Sequence, residues 1–341
     1  MSENVPAVRS SRRLPRITAG FAVLAALIGY VVVQQSTGNG APGCTVRAAS
    51  GGGGPVYELS NEQAANAATI SAVGTTRLLP ERAVTIALAT ALQESGLRNI
   101  AHGDRDSLGL FQQRPSKGWG TPEQILDPVY SAGKFYDGLA AVPGYSRLPL
   151  TVAAQRVQRS GFPQAYAKHE TNAALLAAAL TGRAGAALTC VPGSGTRGAG
   201  DPARVRAELV RAFGPAVLPK AGAEGAAAGP GAREVSVPVR PGATAGGPVA
   251  GGGAARGWEL AHWAVARAQQ LRIAEVSYGG RVWRADDADG GWSRGGPERD
   301  VRDARDGGDG GGGGRTEAAG SAGTETEADT GTGTVRIRLE R

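Results

Sequence analysis

Ala89-Thr-Ala-Leu-Gln-Glu-Ser-Gly-Leu97 closes a helix that Pro80-Glu81 opens, and Ser107-Leu-Gly-Leu-Phe-Gln-Gln-Arg-Pro115 begins thirteen residues after its acid, Glu94. Proline at the first helical position and an acid in the first turn suit a helix N-terminus. Val84, Ala87, Leu88, Ala91 and Leu92 recur at helical spacing, and Gly96 stands where such a helix ends. Glu94 follows Ala87 by seven residues and Ala91 by three, so it flanks the apolar stripe and does not point fully outward. A carboxyl group in that place loses water and feels the negative end of the helix dipole. Both effects raise its pKa, which suits a general acid.

Working outward, the same grammar predicts further helices. Ser60 is a ready N-cap for a run from Asn61 through Ala72. Asp127-Pro128 opens a helix with Val129, Ala132, Phe135, Tyr136 and Leu139 on one stripe, and Leu150–Val157 and Glu170–Leu180 are two more. The stretch Ile100–Gly120, rich in Gly and Asp, reads as a loop or short hairpin. Residues 56–190 therefore form one helical domain. A flexible stalk, 34–55, precedes it, and a Gly/Ala/Pro linker, 191–256, follows, with a short helix at Ala203–Phe213. Residues 257–341 read as a small separate α+β domain. It holds an amphipathic helix from Trp258 to Leu271, a hairpin of Glu275–Tyr278 and Arg281–Arg284 about Gly279-Gly280, and a last strand at Thr334–Leu339. Its acidic, glycine-rich insert, 286–330, has the composition of disorder. The fold class is mainly α, of α+β type.

Composition narrows the function. The chain of 341 residues holds 54 Gly and 20 Pro with no Gly-X-Y period, so it is not collagenous, and its two cysteines exclude a disulfide-dense scaffold. The net charge of +7 rests on arginine, since lysine occurs only at 117, 134, 168 and 220. No dense basic block with interleaved aromatics occurs, so a nucleic-acid partner is set aside. Ile17–Val33 is an uncharged apolar run of 17 residues, preceded by Arg9, Arg12, Arg13 and Arg16. The charge asymmetry predicts a cytoplasmic tail at 1–16, a single membrane anchor at 17–33 and an extracytoplasmic remainder; a cleaved signal peptide is the alternative. Outside the cell a disulfide is permitted, and Cys44 and Cys190 bracket one folded unit. His102 and His169 lack metal-ligand company, so neither a metal site nor a cofactor is expected.

Four segments in order, Glu94-Ser95, Gly109-Leu110-Phe111-Gln112 with Pro115, Asp127-Pro128, and the helix from Leu150 to Gly161, resemble the lysozyme-like fold of soluble lytic transglycosylases and goose-type lysozymes. The resemblance covers about residues 60–185. It implies peptidoglycan as substrate, at the bond between N-acetylmuramic acid and N-acetylglucosamine, with Glu94 as the catalytic acid. A transglycosylase needs no second carboxylate. An inverting hydrolase does, and Asp104 and Asp106 are its candidates, turn chemistry being their structural explanation. Ser95, Gln112, Gln113 and Gln158 are candidate sugar contacts, and Trp119 and Tyr136 candidate stacking platforms; Tyr145 and Tyr166 read as either core or sugar contacts. The chain departs from the family in one place. Where the family has a Tyr-Asn pair, whose Tyr helps hold the catalytic Glu, it carries Gln155-Arg156 or, in the other register, Gln158-Arg159. An arginine paired with Glu94 would lower its pKa. The alternative function is an inactive peptidoglycan-binding scaffold. The C-terminal segment resembles a helix-plus-hairpin domain of secreted actinobacterial proteins, but Val335-Arg336-Ile337-Arg338 stands where some of these carry zinc-binding histidines.

Overall fold

The computed structural model describes residues 41–48, 53–193, 198–218, 233–239, 252–295 and 333–341. The chain from Ala41 on is one compact unit of mixed α and β structure. The basic tail, the apolar run 17–33 and most of the acidic insert lie outside the described residues. Among those described, no helix is long and apolar enough to cross a membrane.

Strands β1 (Gly43–Arg47), β2 (Val56–Leu59) and β3 (Leu188–Val191) form an antiparallel sheet in the order β2-β1-β3. Residues 43–47, read from sequence as part of a stalk, are thus its central strand. Cys44 and Cys190 stand directly opposite one another across β1 and β3 and form a disulfide.

Helix α1 (Asn61–Thr76) opens with a capping box between Ser60 and Gln63. It is buried on nearly every face, which its Ala- and Gly-rich sequence permits. Gly74 leaves room for the Tyr136 ring: a Cβ there would sit 2.6 Å from the phenol oxygen, which donates to Ile70 O at 3.0 Å. Helix α2 (Glu81–Ser95) ends at Gly96 in the left-handed conformation. The last carbonyls of this turn are satisfied from α1, Gln63 Nε2 donating to Gly96 O and Asn66 Nδ2 to Leu97 O, both at 2.8 Å. Helices α3 (Pro128–Ala140), capped by Asp127, and α4 (Leu150–Gln158) follow, then α5 (Glu170–Leu180).

The sequence reading of a linker and a separate C-terminal domain is corrected. Within 191–256 lie helix α6 (Pro202–Phe213), strand β4 (Glu234–Pro238) and the start of α7 (Gly252–Ala266). Strands β5 (Ile273–Tyr278), β6 (Arg281–Arg284), β7 (Ser293–Arg294) and β8 (Thr334–Leu339) join β4 in an antiparallel sheet of order β4-β8-β5-β6-β7. Helix α7, expected to be amphipathic, packs against α1, α5 and β3 on the helical side and against β5 and β8 of this sheet, so nearly all of its residues from Arg256 on are buried. One hydrophobic core runs through both regions, with Trp263 and Trp283 fully buried in it. Gly182, at a φ of +76°, leaves the space that Ala255 O occupies, which allows α7 its close approach to the end of α5.

The polar groups of α7 are tied to the helical body. Glu259 pairs with Arg256 at 2.7 Å and accepts from the Thr75 hydroxyl of α1; Arg256 lies over the Phe213 ring. His262 is wholly buried. Its Nδ1 donates to Ala179 O at 2.8 Å and its Nε2 accepts from Ala187 N–H at 3.2 Å, so the ring is neutral. Burial pushes its pKa down to about 4.

Two outcomes are expected. The disulfide closes a loop of 146 residues, so its reduction should lower folding stability by on the order of 2–5 kcal/mol. An unshifted denaturant midpoint under reducing conditions would refute this. The unfolded chain protonates His262 near its ordinary value of about 6.5 and the folded chain only near 4. Its contribution is therefore complete above the unfolded value and falls as pH drops through that window, by at most about 1.4 kcal/mol per unit. Between pH 7 and 4, thermal midpoints of His262→Gln should fall less steeply than those of the wild type.

Candidate functional site

Glu94 sits on the last turn of α2, half-buried, at the wall of a groove of about 1130 Å³. That volume exceeds the ~300–1,000 Å³ of ordinary small-molecule pockets. The turn is fixed on both sides. Behind it, the α1 amides take its carbonyls. In front, Ser95 Oγ donates to Leu110 O at 2.8 Å and so holds the loop that carries Gly109-Leu110-Phe111-Gln112. That loop closes on itself through a bridge between Leu108 and Gln113, and Phe111 stacks on Phe135 of α3 at 4.7 Å.

The Glu94 carboxyl has defined neighbours. Tyr166 is fully buried on the 3₁₀ segment Pro163–His169, and its hydroxyl donates to Glu94 Oε1 at 2.7 Å. Burial raises the pKa of Glu94, while the bonds from Tyr166 and the Gln158 amide favour the charged form and oppose the rise. Burial and the adjacent carboxylate together push the Tyr166 phenol above its usual range, so it stays a donor. Among the described ion pairs none involves Glu94. Arg156, in the last turn of α4, and Arg159, at its C-terminal cap, line the groove instead.

The sequence candidates separate into two groups. Asp104, Gln112, Gln113, Trp119 and Gln158 line the groove with Glu94. Gln158 Nε2 also donates to Phe111 O at 2.8 Å, joining the end of α4 to the loop. Gln113 is almost wholly buried; its Nε2 donates to Ser131 O, and its Oε1 has no partner among the described residues.

The other three are corrected. Tyr136 is a core residue on the far side of α3, because the Gly74 notch draws its ring inward. Ser95 spends its hydroxyl on Ala91 O and Leu110 O and does not line the groove. Asp106 is held outside the lining by Arg114 Nε at 2.7 Å and by Ser116 N–H at 2.8 Å. Those bonds hold its carboxyl well below the usual range, which makes it a poor base. Asp104 is the remaining second carboxylate.

Sequence reasoning left Tyr166 undecided and missed Phe162, which lines the groove and is 78% exposed. Its only sequence signal is an aromatic between Gly161 and Pro163 in a loop. His169 Nε2 lies 3.2 Å from Gln93 Oε1. Among the described residues no group of His, Cys, Asp or Glu side chains is placed to hold a metal ion. No family model and no curated protein matches the sequence.

The geometry carries a stability signature. An acid whose folded pKa is raised binds its proton more tightly in the folded state, so stability falls as pH rises through its window. Glu94→Gln keeps an acceptor for Tyr166 and removes the half-buried charge. Its thermal midpoint should exceed that of the wild type at pH 7, and the gain should vanish in acid below the ordinary carboxylate range. A lower midpoint at pH 7 would contradict the raised pKa.

Proposed function

We propose that this groove cleaves the glycan strand of peptidoglycan, between N-acetylmuramic acid and N-acetylglucosamine, with Glu94 as the single acid and base. The observation that carries the reading is the half-buried carboxyl with a raised pKa at the wall of a large groove, oriented by a buried tyrosine hydroxyl. A carboxyl whose pKa is raised keeps its proton to a higher pH than an ordinary one, and that proton is what the glycosidic oxygen would take. The C1–O bond then breaks and the leaving sugar takes the proton. The carboxylate so formed accepts the proton of the 6-hydroxyl of the N-acetylmuramic acid that keeps C1, and that oxygen attacks C1 and closes an anhydro ring. Glu94 returns protonated and no water is consumed.

Two features support this version. The family's Tyr-Asn pair is missing, but its service to the acid is supplied by Tyr166 from a different segment. Asp106 is committed to Arg114, which leaves only exposed Asp104 for a hydrolase that must activate water. Gln112 suits sugar hydroxyls and acetamido N–H groups, and Trp119 and Phe162 offer apolar surface to ring faces.

A cell-wall zymogram tests the reading. Wild type should clear the substrate, and Glu94→Gln should lose about 10²–10⁴ in rate. Anhydro ends are expected in the products by mass spectrometry, whereas reducing ends would move the assignment to a hydrolase using Asp104. Binding without clearing by either protein would make the chain a scaffold. Tyr166→Phe removes a bond that favours the carboxylate. Its rate should drop about tenfold, an ordinary loss for one supporting hydrogen bond, and the alkaline limb of its pH profile should move upward. A downward move would contradict the donor role.

A further inference from the structure

We propose that the groove selects glycan strands by charge, binding those whose sugars carry carboxylate-bearing peptides in preference to strands whose carboxylates are masked. The inference deepens the reading of the groove as a glycan site and rests on it.

Five cationic side chains line the groove: Arg105, Arg114, Lys117, Arg156 and Arg159, against two acids, Glu94 and Asp104. Arg114 is neutralised by Asp106. The other four are exposed, and none forms an ion pair among the described residues. They come from two separate segments, the loop after α2 and the end of α4. Like charges gathered at one concavity repel one another and add nothing to folding, but they raise the local concentration of an anionic ligand.

Backbone conformation argues the same way. Of the seven non-glycine residues with positive φ among the described residues, three line this groove: Arg105 at 57°, Gln112 at 47° and Arg159 at 53°. Glycine is the easier residue in that conformation, and a side chain held there strains the backbone. Two of the three strained positions carry guanidinium groups. Arg156, in the last turn of α4, also complements the helix dipole. Arg105 lies in a loop and Arg159 at a left-handed cap, where glycine would cost less. Guanidinium groups match carboxylates in two-bond geometry. An uncharged polymer of amino sugars would engage the aromatic and amide surfaces of the groove and leave its arginines unused.

Equilibrium binding by the full-length Glu94→Gln chain tests this without cleavage. The probes are purified glycan strands with peptides intact and the same strands with their carboxylates converted to amides. Intact strands should bind about fivefold or more tightly than the amidated ones, with the difference shrinking as salt rises. Adding Arg156→Gln and Arg159→Gln should bring the ratio near one, while Arg156→Lys with Arg159→Lys should keep part of it. Equal affinity for intact and amidated strands overturns the proposal. So does inorganic polyphosphate displacing intact strands at equal charge concentration, which would mean that charge density alone is read. Loss of zymogram clearing by wild type, with the carboxylate preference retained, would overturn the catalytic reading and leave this one standing.

Discussion

The hydrogen bond from Tyr166 to Glu94 joins the two things the proposed chemistry requires of one carboxyl group. The carboxyl must lose enough water to hold its proton, and it must stay in one orientation after the proton leaves. Burial alone would supply the first and would make the charged form costly and mobile. A phenol that remains protonated gives the carboxylate a fixed donor without supplying a positive charge. An arginine in the same place would have pulled the pKa down. The chain keeps its arginines at the groove and away from the acid.

That bond is only as good as the frame behind it. Glu94 and Tyr166 are 72 residues apart, and neither segment is positioned by its neighbours in sequence. The end of α2 is fixed by amides from α1, and the facing loop by Ser95 and Gln158. Strands β1 and β3, which bracket the helices α1 to α5, are joined by the Cys44–Cys190 bridge. Helix α7 covers α1 and α5 on another side, with Glu259 and His262 paired into them at the cost of two buried polar side chains. A buried polar group with all its partners favours one docking over alternatives, since any other arrangement leaves it unsatisfied. The C-terminal region is therefore part of the body that presents the groove.

Much of the local structure was legible in the chain. Ser60 and Asp127 cap the helices they precede, Gly96 ends α2, and the apolar spacing of α2 places Glu94 at the edge of the buried face. The alternation at Thr334–Leu339 and the turn at Gly279-Gly280 mark real strands. In an oxidising compartment, two cysteines bracketing one domain already implied their pairing. These features are local, or depend on a count, and period and capping encode them directly.

The rest was decided by tertiary structure, because a periodic pattern states that a face is buried but not what buries it. Tyr136 and Tyr166 look alike in sequence, yet one fills the notch at Gly74 and the other reaches a carboxyl. Ser95 and Asp106 have the right chemistry for a sugar, and contacts within their own loops consume it. Helix α7 looked amphipathic and the segment before it a linker, since nothing in either discloses that α1, α5 and a second sheet close around them. By itself the sequence determined where α1, α2 and α3 begin, where α2 ends, and that an acid stands at its rim. Only the assembled fold decided which tyrosine serves that acid and which arginines face the same groove, because those contacts join residues far apart in the chain and carry no local signal.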